Sequence, residues 1–146
     1  MSAQGTNAAR RVLIIANRTA ATPMLLDQVR RRASEGACRF TLLVPRAYWD
    51  ADTEESAVTL ELAIPLLEEA AGAPVEGMIG DPSPMNAIQD AINIHGFDEV
   101  IISTLPARVS KWLKLDLPSK ITGLGLPVTT VTARDRASAS VPAGDS

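Results

Sequence analysis

Polar side chains follow two apolar runs of this sequence, in a pattern typical of a binding site for a small ligand. They are Asn17, Arg18 and Thr19 after residues 12–16, and Ser103 and Thr104 within residues 98–105. Amide and hydroxyl groups hydrogen-bond polar ligands, although the same groups also satisfy nearby backbone. If the two runs are neighbouring parallel strands, these side chains meet beyond the carboxyl ends of the sheet, where open α/β sheets bind their ligands.

Basic residues near the same positions favour an anionic ligand. The set comprises Arg18, Arg46, Arg108, Lys111 and Lys114. A helix that begins at Ser110 would add backbone amide donors to the same region. The alternative interpretation is an ordinary solvated surface, on which these charges bind nothing.

Gly80 and Asp81 form the most specific motif of the chain, at the end of a third apolar run. We expect them near the same site, at its flank. The alternative is a purely structural role, in which they turn a strand into the helix that follows.

The residue types needed for catalysis do not come together in the sequence. His95 is the single histidine and lies at the predicted end of a helix, where an imidazole complements the helix dipole. Ser83, Ser103 and Ser110 lack the glycine-flanked turn of a hydrolase nucleophile, and no second histidine is present to act as a base. Cys38 is the single cysteine, so one chain supplies no multi-thiolate metal site. We therefore expect neither enzymatic activity nor a metal site.

Apolar runs alternate with helical patterns along the chain. Strands are predicted at residues 12–16, 40–44, 74–80, 98–105 and 127–133, and helices at residues 24–34, 53–71, between 83 and 96, and at 110–124. Thr22 and Ser83 are predicted N-caps, because each precedes a proline suited to the first helical turn. Pro65 and Pro118 are expected to kink or interrupt their helices. The alternation predicts one α/β domain with a parallel sheet and right-handed crossovers.

Composition excludes several classes of protein. The 146 residues are 46% hydrophobic and 21% charged, as in globular domains. A net charge of −3 argues against a nucleic-acid or membrane partner. No segment resembles a signal peptide or a membrane span, so we expect a cytoplasmic location. Residues 1–10 and 134–146 are expected to be disordered, on either side of a single domain at residues 11–133.

One segment brings the sequence close to a known family. Residues 80–104, GDPSPMNAIQDAINIHGFDEVIIST, resemble the universal stress protein pattern, in which Gly-Asp-Pro opens a helix, His-Gly closes it and Asp begins a strand. The resemblance covers residues 11–133 and implies a three-layer α/β/α sandwich of Rossmann-like type, with a five-stranded parallel sheet in the order 3-2-1-4-5. It also implies ATP between strands one and four in many members, and often a homodimer along the last strand, here Val128 to Val131.

The ATP-binding members of that family carry phosphate-binding glycines that are missing here. Laid without gaps from the fourth strand, the glycine positions fall on Ser103, Pro106 and Asp116. Pro106 has no amide proton to donate, and Asp116 would place a negative charge against phosphate. Asn17 replaces the usual Asp at the end of strand one. ATP or AMP binding is therefore disfavoured, and no cofactor is expected.

Two functions remain open from the sequence. The missing glycines favour a stress-response or regulatory module that does not bind ATP in the usual way and acts as a homodimer or by docking on a protein partner. The alternative is a nucleotide- or small-anion-binding protein that uses the pocket at the ends of strands 1 and 4. Trp112 does not decide between them. It is expected to form a packing stripe with Leu115, and the alternatives are a dimer contact or a lid over that pocket.

Overall fold

Five strands and five helices alternate along the chain in a computed structural model, which describes residues 9–17, 19–46, 54–105 and 110–133. The elements are β1 (Arg10–Ile15), α1 (Pro23–Glu35), β2 (Cys38–Pro45), α2 (Glu54–Ala71), β3 (Val75–Gly80), α3 (Pro84–His95), β4 (Glu99–Thr104), α4 (Lys111–Lys114), α5 (Leu117–Thr122) and β5 (Val128–Thr132). Both segments expected to be disordered lie almost wholly outside the described residues.

All five strands are parallel and lie in one sheet, in the order β3-β2-β1-β4-β5. The fold class and the strand order implied by the family resemblance are thus confirmed. β1 lies at the centre and pairs with β2 on one side and β4 on the other. The chain order therefore reverses between β1 and β4, which opens a crevice at the carboxyl ends of these two strands.

Alternate residues of β1 point into two separate cores. Val12 and Ile14 pack with α1 and α2 on one face, whereas Leu13 and Ile15 pack with α3 and α5 on the other. Residues of this strand from Val12 onwards are fully buried, as a strand covered on both faces requires. This burial fixes the position of the residues that follow the strand.

Both predicted N-caps are confirmed. The Thr22 hydroxyl accepts a hydrogen bond from the Leu25 amide at 3.4 Å, and the Ser83 hydroxyl accepts one from the Asn86 amide at 3.4 Å. Each cap is followed by a proline at the start of its helix. Extended backbone at the cap and a fixed proline φ thus set where α1 and α3 begin.

The helix prediction differs from the structure in two details. α2 continues through Pro65 as one 18-residue helix, so the proline does not break it and the loss of one backbone hydrogen bond is tolerated there. The helical region expected at residues 110–124, with an interruption at Pro118, consists of two short helices, and they separate at Asp116 instead. Pro118 lies in the first turn of α5, where a missing amide proton costs nothing.

An ion cluster fastens α1 to the amino end of the sheet. Arg32 of α1 donates two hydrogen bonds to the Glu99 carboxylate at 2.9 and 2.8 Å, and Arg10 of β1 donates a third at 3.1 Å. The Glu99 side chain is only 12% exposed. The Arg32 hydrogen bonds, helped by Arg10, hold the pKa of Glu99 below its ordinary value. The carboxylate therefore stays charged and joins three elements.

Replacing this carboxylate should destabilise the fold in a pH-dependent way. We expect Glu99→Gln to lower the free energy of unfolding by about 2 kcal/mol at pH 7, because two arginines lose a largely buried partner. Since the folded-state pKa is lowered, the stabilisation is complete above the unfolded-state pKa of about 4.3 and is lost progressively as pH falls from there through the folded-state pKa. Urea denaturation of both proteins between pH 7 and 3 measures this. A difference that persists unchanged at pH 3, or that the exposed control Glu69→Gln reproduces, would contradict the role of the cluster.

Candidate functional site

A cavity of about 370 Å³ opens at the carboxyl ends of β1 and β4. It is lined by Asn17, Thr19, Ser103, Thr104, Leu105, Ser110, Lys111 and Trp112. Six of these eight residues are among the ligand-binding residues proposed from the sequence. The reversal of strand order explains their meeting, since the segments after β1 and β4 leave the sheet side by side.

A buried pair of hydroxyl groups joins the segment after β1 to β4. Thr19 Oγ1 lies 2.7 Å from Ser103 Oγ, and Ser103 Oγ also donates to the Thr19 carbonyl at 3.2 Å. The Thr19 carbonyl further accepts hydrogen bonds from the amide and the hydroxyl of Thr22, both at 3.2 Å. One wall of the cavity is therefore held by the end of β4 and by the first residues of α1.

A second hydroxyl pair joins β4 to the segment that begins α4. Thr104 Oγ1 lies 2.6 Å from Ser110 Oγ, and both side chains are buried. Ser110 also caps α4, because its hydroxyl accepts a hydrogen bond from the Leu113 amide at 3.1 Å. This pair places the first turn of α4, with Lys111 and Trp112, beside the cavity.

The four hydroxyl groups of the two pairs do not all satisfy one another. Either oxygen of the Thr19–Ser103 pair can donate to the other, and the Ser103 hydroxyl also lies within hydrogen-bond distance of the Thr19 carbonyl. In the Thr104–Ser110 pair one hydrogen forms the mutual bond and the other has no partner among the described residues. This hydrogen is available to a polar ligand, since Thr104 and Ser110 both line the cavity.

Charge and apolar surface are found at the mouth of the cavity. Lys111 is exposed and forms no ion pair within the part of the chain that the structure describes. Leu105 is 37% exposed. Trp112 is half-buried and packs against the core beneath α3 while it also lines the cavity. Trp112 therefore contributes both to the packing of the core and to the lining of the cavity, so the packing and pocket interpretations do not exclude each other.

Gly80 and Asp81 are not among the residues that line the cavity. β3 lies at the edge of the sheet, so β2 separates it from β1, and the expectation of a flanking position is not met. A Cβ at Gly80 would come within 2.7 Å of the Ala87 Cβ of α3. Glycine is therefore needed at residue 80 because α3 approaches the strand too closely for a side chain. Asp81 accepts a hydrogen bond from the Ser83 amide at 2.8 Å. Both residues thus shape the turn from β3 into α3.

Other residues considered from the sequence lie elsewhere. Arg18 and Arg108 fall outside the described residues. Burial raises the pKa of the Cys38 thiol, at the amino end of β2, so this thiol is not activated as a nucleophile. His95 ends α3 and packs edge-on against Phe97, with ring centroids 6.4 Å apart. Across the described ranges, no group of three or more potential metal ligands comes together.

No protein-family model matches the sequence, and no curated protein matches it. Solved structures do match. The universal stress protein from Archaeoglobus fulgidus in complex with dAMP superimposes with a TM-score of 0.60 at 15% identity, covering 86% of this chain and 98% of that one. A hypothetical protein, PH0823, superimposes with a TM-score of 0.58 at 14% identity, covering 87% of this chain and 99% of that one.

The chain has the universal stress protein fold. At this level of identity the similarity concerns the fold, and the chemistry of the site depends on this chain's own residues. No helix within the described ranges is long and apolar enough to cross a membrane.

Asp116 adopts a backbone conformation that normally belongs to glycine. Its φ of 58° and ψ of 42° place it in the left-handed region, and it is the only non-glycine residue with positive φ among the described residues. This is the position on which the third phosphate-binding glycine of ATP-binding universal stress proteins falls. The turn between α4 and α5 therefore keeps a glycine-like backbone while the side chain there is a carboxylate.

A substitution pair tests this backbone assignment. We expect Asp116→Gly to unfold with a free energy about 1 kcal/mol higher than Asp116→Ala, because alanine is strained at positive φ and glycine is not. At the exposed helix position Asp90 in α3 the order should reverse, with the glycine variant about 1 kcal/mol less stable than the alanine variant. Chemical denaturation of the four variants measures both differences. The same order at both positions would show that residue 116 is not left-handed.

Proposed function

We propose that this chain is a non-enzymatic regulatory module of the universal stress protein type, which binds a small polar ligand of nucleoside monophosphate size in the cavity between β1 and β4. The observation that carries the proposal is the pair of hydroxyl bridges, Thr19–Ser103 and Thr104–Ser110, around a cavity at the point where strand order reverses. Bridges of this kind hold the walls of a site before a ligand arrives, which lowers the entropy cost of binding.

The size and charge of the cavity support a monophosphate better than a triphosphate. A volume of about 370 Å³ is near the lower end of the range for small-molecule sites. Among the described residues that line it, Lys111 is the only charged one. A single cation offsets one phosphate group, whereas the several charges of ATP would need the glycine-rich backbone cradle that Ser103 and Asp116 replace. The fold neighbour from Archaeoglobus fulgidus is in complex with dAMP, which agrees in ligand size.

A binding role fits the lining residues better than turnover does. The described lining residues include no aspartate, glutamate, histidine or cysteine, so they supply no general base of the ordinary kind. Their hydroxyl groups form the two bridges, which leave one hydrogen of the Thr104–Ser110 pair without a partner among the described residues. We therefore infer that the ligand acts as a signal, and that a stress-response or other regulatory output follows from its binding.

The fluorescence of Trp112 provides a direct test. The chain has two tryptophans, so Trp49→Phe leaves Trp112 as the only one, at the wall of the cavity. We expect AMP and adenosine to change its emission in a saturable way, and Lys111→Gln in this background to weaken AMP roughly fivefold, as an exposed charge pair worth about 1 kcal/mol predicts. Adenosine affinity should not change. Lys120→Gln, an exposed lysine of α5, is the matched control.

Three results would contradict the proposal. They are a Trp112 signal that no nucleoside or nucleotide alters, an equal effect of Lys111→Gln and Lys120→Gln on AMP affinity, and a tenfold preference for ATP over AMP. The last would mean that a phosphate cradle exists despite the missing glycines.

Self-association along β5 is a second proposal, and a specific observation favours it. β5 is the last strand of the sheet, so one side of its backbone has no partner strand among the described residues. The Pro127 carbonyl accepts a hydrogen bond from the Val100 amide of β4, and the Ala133 amide donates one to the Thr104 carbonyl of β4. The backbone groups of odd-numbered residues of β5 therefore point towards β4, and those of even-numbered residues point away from it. An exposed edge of this kind pairs readily with a second copy.

A proline pair separates edge pairing from folding. We expect the wild-type chain to be a dimer in solution and Thr130→Pro to be a folded monomer, because the amide lost at residue 130 points away from β4. Thr129→Pro should instead lower the melting temperature, since its amide belongs to the β4–β5 ladder. Light scattering and thermal unfolding measure the two effects. A monomeric wild-type chain, or a dimer that Thr130→Pro leaves intact, would exclude this edge as the interface.

A further inference from the structure

Two arginines lie side by side on the face of the sheet that α3 covers, at its amino end. Arg11 of β1 and Arg39 of β2 are register partners, so their side chains leave the sheet on the same face from strands about 4.8 Å apart. Like charges placed directly opposite each other on neighbouring strands are destabilising. The pair therefore needs a physical explanation.

The other face of the same strands shows how this chain neutralises such a pair. There Arg10 and Arg32 converge on one carboxylate, that of Glu99, at 2.8 to 3.1 Å. Arg11 and Arg39 have no corresponding anion, and neither forms an ion pair with any described residue. On one face a carboxylate thus lies between two guanidinium groups, whereas on the other face the guanidinium groups of Arg11 and Arg39 have no carboxylate partner among the described residues.

Arg11 is held in place without a counterion. Its guanidinium carbon lies 5.6 Å from the centroid of the Phe97 ring, a cation–π distance. Its Nη1 lies 3.7 Å from where a Cβ of Gly96 would be, so it is close to the carboxyl end of α3. Although Arg11 is exposed, its contact with Phe97 restricts the guanidinium, so less entropy is lost when it binds an anion.

A cavity of about 440 Å³ lies at these arginines. Arg11, Arg39, Thr41, Pro74, Glu76 and Phe97 are among its lining residues. Two acidic groups lie nearby, and neither forms an ion pair with Arg11 or Arg39. Asp98 uses its carboxylate to accept a hydrogen bond from the Arg11 backbone amide at 2.8 Å, and Glu76 belongs to the edge strand β3 and pairs in register with Thr41.

We propose that this cavity binds a dianionic group, of which the phosphate of a small soluble monoester is the common biological example. Two planar guanidinium groups match the charge of a dianion and donate to several of its oxygens at once. The Thr41 hydroxyl supplies a further donor. Glu76, which also lines the cavity, repels the anion and limits its affinity.

The site is distinct from the cavity between β1 and β4. Arg11 lies at the start of β1 and Asn17 just beyond its end, about 20 Å away along an extended strand. The two cavities therefore open at opposite ends of the sheet, and a ligand in one does not contact the residues of the other.

Amide chemical-shift mapping of the full chain with inorganic phosphate, at constant ionic strength set with chloride, tests the proposal. We expect saturable shifts at residues 11, 39–41, 76 and 97. Arg39→Gln should weaken phosphate at least tenfold, and Arg39→Lys should recover only part of that loss because the planar fork is absent. Glu76→Gln should tighten binding severalfold. Arg31→Gln, which removes the same charge from the exposed face of α1, should change affinity less than twofold.

Several outcomes would overturn the proposal. One is a phosphate response that does not saturate or that maps to residues 17–19 and 103–112. Another is an equal loss of affinity in Arg39→Gln and Arg31→Gln while both variants keep the wild-type spectrum elsewhere. Binding to vesicles that contain phosphatidic acid, without binding to free phosphate or glycerol 3-phosphate, would assign the arginines to a lipid surface instead of a small ligand.

Discussion

The burial of β1 on both faces is the constraint on which the rest of the structure depends. Its residues from Val12 to Ile15 have no exposed surface, and they hydrogen-bond β2 on one side and β4 on the other. Two helical layers are needed to cover such a strand, and the chain must cross from β3 to β4 to complete the second layer. The reversal of strand order, and with it the cavity beyond β1 and β4, follows from this one arrangement.

The polar groups at the two ends of β1 find their partners in different ways. At the carboxyl end, four hydroxyl groups pair in two bridges and leave few free positions, which suits a site that recognises a small polar molecule by shape and a few hydrogen bonds. At the amino end, arginines dominate, and Glu99 neutralises them on one face only. The contrast between the two faces is what distinguishes Arg11 and Arg39 from ordinary surface arginines.

The sequence predicted the fold more completely than it predicted the site. Apolar runs, the caps Thr22 and Ser83, and the glycine at residue 36 after α1 are local signals, and each has a local physical cause. Whether Gly80 lines the cavity depends on how closely the end of the edge strand approaches it, and the strand order implied by the resemblance does not give that distance. The break at Asp116 was missed because no apolar pattern and no proline marks an aspartate with left-handed backbone. The break was predicted at Pro118 instead, but a proline is also suited to the first turn of a helix, which is where Pro118 lies in α5.

The hydroxyl bridges were beyond sequence reasoning for a different reason. Ser103 and Thr104 were recognised as polar residues at a strand end, but their partners could not be. Thr19 is far from Ser103 in the sequence, and nothing in the sequence fixes the loop that brings Ser110 to Thr104, whereas the bonds require oxygen–oxygen distances of 2.6 to 2.7 Å. Serine and threonine form such bonds with many partners, so their residue type carries little information about which one is chosen.

Mapping the AMP site by amide chemical shifts in the full chain tests the central claim most directly. The account predicts that the largest shifts occur at residues 17–19, 103–105 and 110–112, around the two hydroxyl bridges, and that adenosine shifts the same residues. Shifts confined to the arginines at the amino end of the sheet, or no shifts at all at millimolar AMP, would contradict the claim that the reversal of strand order at β1 and β4 creates the ligand site.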